Sequence, residues 1–147
     1  MKPVLQVALD LMHLKRAVEI ARESLEGGAD WIEAGTPLIK SEGAECLRVL
    51  KKEFPGRTLV ADMKTMDVGA FEVEIAAKAG ADVVTVLGLS DDGTISESVL
   101  AARKYGAAVM VDLINVPDQA ARARQVEGMG VSYVCLHVGI DEQMKGE

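Results

Sequence analysis

The sequence predicts an α/β fold of the (β/α)8 TIM-barrel type, with only about the first six β/α units present. Three observations favour this fold. Short β-branched runs alternate with amphipathic stretches that end at glycine, which is typical of parallel strands joined by helical crossovers. The residues that end these runs recur every 23 to 29 positions, as βα repeats do. No GxGxxG turn, the mark of a dinucleotide-binding sheet, follows the first run.

The elements follow in chain order. We predict six strands from apolar, mostly β-branched runs, at residues 4–10, 30–35, 58–64, 82–88, 107–114 and 132–138. Apolar residues at helical spacing, closed by glycine, predict helices within 13–28, 43–56, 70–80, 96–106 and 118–130. Because a complete barrel usually runs to about 250 residues, we expect residues 1–147 to form one partial barrel domain that lacks its C-terminal units and their phosphate-binding loops.

Composition excludes several classes of function. A net charge of -7 and an aromatic content of 3% argue against binding nucleic acid. We find neither an apolar run long enough to cross a membrane nor the pattern of a secretory leader, so we expect a cytoplasmic protein. Cys46 and Cys135 have no metal-ligand spacing and are interpreted as reduced thiols that pack as small apolar groups.

Residues 60–67 read VADMKTMD and place three charges at the end of an apolar run. Asp62 and Lys64 are two positions apart, so a regular strand directs both side chains to one face, with Asp67 just beyond in the loop. In a barrel that face is the mouth at the carboxyl ends of the strands, where catalytic residues lie. Asp10 and Glu33 end the first two strands. The sequence therefore predicts several carboxylates around one ammonium group.

Other polar residues near strand ends are open to two interpretations. His137 ends the sixth strand and could transfer a proton at the mouth, or be a hydrogen-bonded structural residue. His13 opens the first helix and is expected to face solvent. Asp112 and Asn115 are interpreted as a turn or helix cap, because Asn-Val-Pro-Asp supplies its own local hydrogen bonds. We leave both outside the predicted site.

Five segments together resemble a known family: VALD (7–10), IEAGTPLIKSEG (32–43), VADMKTMD (60–67), ADVVTVLG (81–88) and LHVGIDEQ (136–143). They resemble the orotidine-monophosphate decarboxylase superfamily, whose signature is DxKxxD on the third strand, and within it the hexulose-6-phosphate synthases. The resemblance implies a lyase, an aldolase that joins formaldehyde to D-ribulose 5-phosphate through an enediolate, in formaldehyde fixation or in the reverse direction.

The resemblance also implies roles for individual residues. Glu33 and Asp62 would hold Mg²⁺ or Mn²⁺, which carboxylate oxygens suit. Lys64 would stay protonated beside Asp62 and Asp67 and stabilise negative charge. Asp67 would also reach across the interface of a homodimer into the partner's site. His137 would carry the proton.

Alternatives remain at this point. Asp10 resembles a residue that binds a substrate hydroxyl, although a cap on the following loop is also possible. A related decarboxylase that acts on 3-keto-L-gulonate 6-phosphate shares the pattern through the third strand but tends to carry an Arg shortly after the histidine. Here Gly139 and Ile140 follow instead, which favours the aldolase. A third hypothesis is a non-catalytic fragment that binds a partner.

Overall fold

A single parallel sheet organises the chain. The computed structural model describes residues 3–146. Its strands are β1 (Gln6–Leu9), β2 (Trp31–Ala34), β3 (Thr58–Thr65), β4 (Val83–Leu87), β5 (Ala108–Asp112) and β6 (Tyr133–Cys135). They lie in the order β1-β2-β3-β4-β5-β6, and each neighbouring pair is parallel. The prediction of six strands in a curled half-barrel is confirmed, and most of the strands are shorter than the apolar runs that predicted them.

Helices connect successive strands. They are α1 (Leu14–Glu26), α2 (Thr36–Glu42), α3 (Glu45–Glu53), α4 (Gly69–Lys78), α5 (Asp92–Tyr105), α6 (Gln119–Glu127) and α7 (Ile140–Gln143). The five predicted helices correspond to α1, α3, α4, α5 and α6. The short helices α2 and α7 have no counterpart in the predicted pattern. In the described part of the chain no helix has both the length and the apolar character to cross a membrane.

Helix α5 begins earlier than its amphipathic pattern indicates. The Asp91 carboxylate accepts hydrogen bonds from the Thr94 main-chain NH at 2.9 Å and from the Thr94 hydroxyl, so Asp91 caps the helix. Such a cap satisfies main-chain donors that the first helical turn leaves unpaired. The helix therefore starts at Asp92, ahead of its first apolar residues.

The hydrophobic core lies between the sheet and the helices. Ile32, Leu59, Val84 and Val111 contribute from alternate strand positions and are almost fully buried. Because neighbouring residues on a strand point to opposite faces, the intervening positions line the other face of the sheet, the concave side of the half-barrel. This alternation separates the apolar core from the polar residues that build the site.

Strand β3 departs from regular geometry at Lys64. Its pairing with β4 shifts register between Ala61 and Thr65, and Lys64 has a φ of 48°, in the left-handed region that non-glycine residues seldom adopt. The Lys64 main-chain NH donates to the Thr85 hydroxyl at 3.0 Å instead of to a neighbouring strand carbonyl. A bulge of this kind redirects a side chain and is common beside functional sites.

Candidate active site

The site forms around Asp62, whose residue is only 6% exposed. Its Oδ1 accepts a hydrogen bond from the Thr85 hydroxyl, and its Oδ2 accepts from the Thr36 hydroxyl and from the Lys64 ammonium, all at 2.8 Å. Thr36 opens α2 and Thr85 lies on β4, so three consecutive units of the fold hold one carboxylate. A buried carboxylate is stable only with such partners.

Lys64 bridges two carboxylates. Its Nζ lies 2.8 Å from Asp62 Oδ2 and 3.1 Å from Asp112 Oδ2. Burial opposes the charged form, but the bonds to Asp62 and Asp112 outweigh it and raise the pKa of Lys64 above its usual value. The predicted protonated ammonium is thus supported. Its second partner is Asp112, whereas the sequence suggested Asp67.

Asp67 lies apart from this network. It is exposed, and its Oδ1 accepts a hydrogen bond from the main-chain NH of Val68 at 2.7 Å. The DxKxxD segment therefore brings Asp62 and Lys64 together within one chain, while its last carboxylate faces outward at the start of α4.

Asp112, which the sequence analysis leaves outside the predicted site, contacts two residues of that site, Lys64 and His137. It is 3% exposed, and its Oδ1 accepts from the Ile114 NH at 2.9 Å, which is the local turn that the sequence suggested. The same carboxylate also bonds Lys64 and His137. Burial would raise the pKa of Asp112, but the hydrogen bonds from His137, Ile114 and Lys64 lower it below the usual value. Asn115 does follow in the turn, with a φ of 58°.

His137 is oriented by Asp112. Its Nδ1 lies 2.9 Å from both carboxylate oxygens, and an ionised carboxylate only accepts hydrogen bonds, so Nδ1 carries the proton. In the neutral ring this leaves the lone pair on Nε2, the nitrogen that can accept a proton. Strand β6 ends at Cys135, so His137 lies in the loop beyond it, where its carbonyl accepts from the Gln119 amide at 3.2 Å.

Glu33 differs from Asp62 and Asp112 in having no Lys or Arg partner among residues 3–146. On β2, it accepts a hydrogen bond from the Gln6 amide, and within residues 3–146 no Lys or Arg lies at ion-pair distance from it. Burial, with the charge of Asp62 as second cause, raises the pKa of Glu33 to about 7. Such a group is stabilised by any cation that reaches it.

The donor set formed by Glu33 and Asp62 suits a hard divalent cation. Mg²⁺ is usually held by one or two carboxylates, with water or substrate oxygens completing its coordination. Among the described residues, the one group of three or more candidate ligands that lie mutually close is elsewhere, at Asp112, Cys135 and His137. A cation between Glu33 and Asp62 would therefore leave most of its positions to water or substrate.

Asp10 follows β1 and is exposed. Its carboxylate packs so closely on Gly35 that a Cβ at Gly35 would come within 2.1 Å of Asp10 Oδ1. Gly35 is thus required for the turn that leads from β2 into α2. Because Asp10 follows β1, which pairs with β2, Asp10 and Glu33 lie on the same side of the mouth. The negative charge of Asp10 also contributes to the raised pKa of Glu33.

The remaining predictions concern residues outside the mouth. Cys46 is buried in α3, Cys135 is partly buried, and both thiols are free, as expected. Burial and the nearby Asp112 carboxylate raise the pKa of the Cys135 thiol, which indicates a position close to the site. His13 precedes α1 and is exposed, which confirms the expectation.

Sequence similarity identifies the family at this point. Residues 3–147 match the family described as orotidine 5'-phosphate decarboxylase / HUMPS. The chain belongs to this family. The resemblance that the five segments together suggested is therefore confirmed over almost the whole chain.

Two relatives narrow the assignment within the family. The chain is 49% identical over 141 residues to a 3-hexulose-6-phosphate synthase from Mycobacterium gastri, a match that spans 96% of this chain and 68% of the relative. It is 42% identical over 143 residues to a 3-hexulose-6-phosphate synthase from Bacillus subtilis (strain 168), with 97% of this chain and 68% of the relative covered.

Solved structures also resemble this chain more closely when they are 3-hexulose-6-phosphate synthases than when they are 3-keto-L-gulonate-6-phosphate decarboxylases. A crystal structure of 3-hexulose-6-phosphate synthase superposes with a TM-score of 0.93 at 49% identity, over 96% of this chain and 68% of that one. A 3-keto-L-gulonate-6-phosphate decarboxylase from Vibrio cholerae superposes with a TM-score of 0.89 at 30% identity, over 99% and 67% of the two chains. Similarity therefore favours the aldolase over the decarboxylase, as the residues after His137 did.

Proposed function

We propose that this protein catalyses the metal-dependent aldol condensation of formaldehyde with D-ribulose 5-phosphate, the activity that its synthase relatives are named for. One observation carries the proposal: Lys64 is fixed between two buried carboxylates, and one of them, Asp112, also orients His137. A fixed ammonium beside a base with one free nitrogen suits a reaction that creates an enediolate.

His137 is the proposed base. The proton on C1 of ribulose 5-phosphate is acidic because the neighbouring ketone accepts the electron pair. Nε2 takes this proton while Nδ1 keeps its bond to Asp112, whose negative charge stabilises the imidazolium that forms. The electron pair of the broken C–H bond moves toward the ketone oxygen and gives the 1,2-enediolate.

Lys64 stabilises the negative charge of that enediolate. Its ammonium is held before substrate arrives, so little reorganisation is needed when the charge develops. The raised pKa of Lys64 also argues against a Schiff-base mechanism, which needs a neutral amine. Lys64 therefore acts as a fixed charge.

Carbon–carbon bond formation completes the cycle. C1 of the enediolate attacks the carbon of formaldehyde, the C=O electron pair moves to oxygen, and the resulting alkoxide takes the proton that His137 holds. This restores the neutral imidazole, so one residue removes and returns the proton.

Glu33 and Asp62 are proposed to hold Mg²⁺ or Mn²⁺. When bound, such a cation would polarise the substrate carbonyl and stabilise the negative charge that develops on its oxygen. The carboxylate of Glu33, half-buried and without a Lys or Arg partner in the described residues, supports this position. Asp10, on the same side of the mouth, is proposed to bind a substrate hydroxyl.

The proposal is tested with two substrates on the full encoded protein. We expect Mg²⁺-dependent consumption of formaldehyde only when ribulose 5-phosphate is present, and a chelator should abolish it. Release of CO₂ from 3-keto-L-gulonate 6-phosphate, at a higher kcat/KM than the condensation, would instead identify a decarboxylase. If the protein consumes neither substrate although circular dichroism shows that it is folded, the non-catalytic alternative is supported.

A homodimer is proposed as the working assembly. Met66 and Val68, which flank Asp67, are exposed, and the packed helices α4 and α5 carry three further exposed apolar residues: Phe71, Ile75 and Leu100. We call these five residues the α4 patch. Phe71 alone is 70% exposed, and exposed apolar groups of this size are typical of interaction sites. A second copy packed on the α4 patch would carry its own Asp67 toward the mouth.

Mixing two inactive variants tests whether the site is shared. If Asp67 acts in the partner's site, Lys64→Ala and Asp67→Ala chains mixed as dimers should regain about a quarter of wild-type activity, because half of the dimers are mixed and each has one intact site. Phe71→Asp should give monomers by light scattering. No recovery on mixing, with dimers confirmed, would place Asp67 outside the partner's site.

A cytoplasmic location is also proposed. Cys46 and Cys135 are both free thiols, which suits a reducing compartment. Fractionation of cells that produce the protein should place it with cytoplasmic markers, and recovery with exported proteins would refute the proposal.

A further inference from the structure

Strand ends β5 and β6 bring three different metal-binding groups together. Asp112, Cys135 and His137 each offer one ligand atom, and these atoms all lie within 4.8 Å of one another. Asp112 and Cys135 are paired directly across the two parallel strands. His137, two residues after Cys135, returns to the same side. The cluster is thus built by strand register as well as by the loop that carries His137.

The chemistry of this group differs from that of Glu33 and Asp62. A thiolate and an imidazole with one carboxylate suit Zn²⁺ or Co²⁺, whereas Mg²⁺ prefers oxygen ligands alone. Around a tetrahedral ion with bonds of about 2.0–2.3 Å, ligand atoms lie roughly 3.3–3.6 Å apart. Side-chain rotations that move the ligand atoms by little more than about 1 Å would therefore bring them to ion-binding distance.

The surroundings favour a cation. Asp112 is already oriented by the Ile114 NH at 2.9 Å and by Lys64 at 3.1 Å, and partners of this kind fix a ligand for its metal. The ammonium of Lys64 repels an incoming ion. Three anionic groups counter that repulsion once the thiol has lost its proton to solvent: Asp62, Asp112 and Cys135.

We propose that Asp112, Cys135 and His137 form a second, inhibitory cation site that selects a borderline-soft divalent ion such as Zn²⁺ over Mg²⁺. An ion on Nε2 of His137 would occupy the base directly, and an ion on Nδ1 would displace the proton that faces Asp112 and leave the ring proton on Nε2. The binding site stands on the geometry alone, and only its inhibitory effect rests on the proposed function.

Cobalt spectroscopy tests the binding site independently of activity. Co²⁺ added to the metal-free full encoded protein should produce a near-ultraviolet thiolate-to-Co²⁺ absorption that saturates at one equivalent and is removed by Zn²⁺. Cys135→Ser should abolish this band. Cys46→Ala, the matched control for the other cysteine, and Glu33→Gln, the control for the hard-cation position, should both keep it. No band in the wild-type protein, or a band that survives Cys135→Ser, would overturn the site.

Inhibition provides the second readout. At saturating Mg²⁺, Zn²⁺ should lower turnover of the wild-type protein, and Cys135→Ser should raise the Zn²⁺ concentration for half-inhibition by at least about tenfold. Each variant is compared with its own activity without Zn²⁺. A Co²⁺ band that vanishes in Cys135→Ser alongside unchanged Zn²⁺ inhibition would confirm the site and refute the inhibitory effect. If neither the wild-type protein nor any variant showed aldolase activity, the proposed function would be contradicted, and the spectroscopic result would remain valid.

Discussion

The two sides of the mouth differ in how their carboxylates are balanced. On the side of β3, β5 and β6, Asp62 and Asp112 share the ammonium of Lys64, and every oxygen has a hydrogen-bond donor. On the side of β1 and β2, Glu33 and Asp10 have no Lys or Arg at ion-pair distance in the described residues. On the first side, hydrogen-bond donors and the Lys64 ammonium hold and balance the carboxylates. On the second side, the carboxylates have no cationic partner among the described residues.

This difference teaches that neighbouring strand ends can carry the same residue type for different purposes. A carboxylate with fixed donors has a set position and charge, so it suits the orientation of other side chains. A buried carboxylate without a cation is unfavourable by itself and gains most from a bound ion. The two sides therefore respond differently to substitution.

Replacing Glu33 should have the largest effect on turnover. Glu33→Ala removes one of the two proposed ligands, so Mg²⁺-dependent condensation should be abolished, as measured by formaldehyde consumption across a Mg²⁺ titration. Glu97→Ala, at an exposed position on α5, is the matched control and should behave as wild type. Full Mg²⁺-dependent activity in Glu33→Ala would remove this residue from the cation site.

Replacing Lys64 tests the organised side. Lys64→Ala should lower kcat by about 10²–10³-fold, or roughly 2.7–4 kcal/mol, the loss typical for one preorganised donor. Lys64→Arg should restore little, because a planar guanidinium does not take the place of a compact ammonium between two carboxylates. Steady-state kinetics near wild type in a folded Lys64→Ala protein would reduce Lys64 to a structural ion pair.

Asp112→Asn should have an intermediate effect. The amide keeps the shape of the side chain but no longer stabilises the His137 imidazolium or selects the ring nitrogen that carries the proton. We expect kcat to fall roughly ten- to hundredfold, as for other groups that orient a functional histidine, with KM little changed. A change confined to KM would show instead that Asp112 contributes to substrate binding.

The pH dependence of stability, rather than turnover, tests the cation-poor side. The pKa of Glu33 is about 7 in the folded protein and near 4.5 when unfolded, so between these values the folded state binds more protons. Stability is therefore greatest below about pH 4.5 for this group and is lost as pH rises through 7, by about 3 kcal/mol at most.

Comparison with Glu33→Gln isolates this contribution, since glutamine has no charge to lose. In urea unfolding without metal, the stability difference between Glu33→Gln and wild type should grow from pH 5 to pH 8, and Mg²⁺ should stabilise the wild-type protein more at pH 8 than at pH 5. Parallel pH profiles of stability for the two proteins would mean that the folded protein does not raise the pKa of Glu33.

Much of the fold could be predicted because its signals are local. The six strands follow from apolar runs that recur with glycine stops, and each survives as a strand of the sheet. Helix α2 could not be predicted so easily, because its seven residues are too short for a periodic pattern. The start of α5 depends on the Asp91 cap, a polar signal that amphipathic spacing does not register.

Side-chain contacts within the candidate site could be predicted only where the two residues are close in sequence. Asp62 and Lys64 do meet, although they do so through a bulge and a left-handed Lys64 that strand alternation does not anticipate. Asp112 lies 48 residues from Lys64, and its local turn with Ile114 gave a sufficient explanation by itself. The sequence did contain a signal for Asp112. This residue ends a strand at the same regular spacing as Asp62 and His137, so it is expected at the same edge of the sheet.

The order of the strands in the sheet also sets the order in which the site forms during synthesis. Each strand pairs with the one made just before it, so a growing chain can add strands one at a time without waiting for distant segments. Asp62 and Lys64 meet once β3 folds, but Asp112 emerges 48 residues after Lys64, and His137 another 25 after Asp112. At about 5–20 residues per second, several seconds separate these events. A nascent chain would therefore hold Lys64, the proposed fixed charge, in place several seconds before His137, the proposed base.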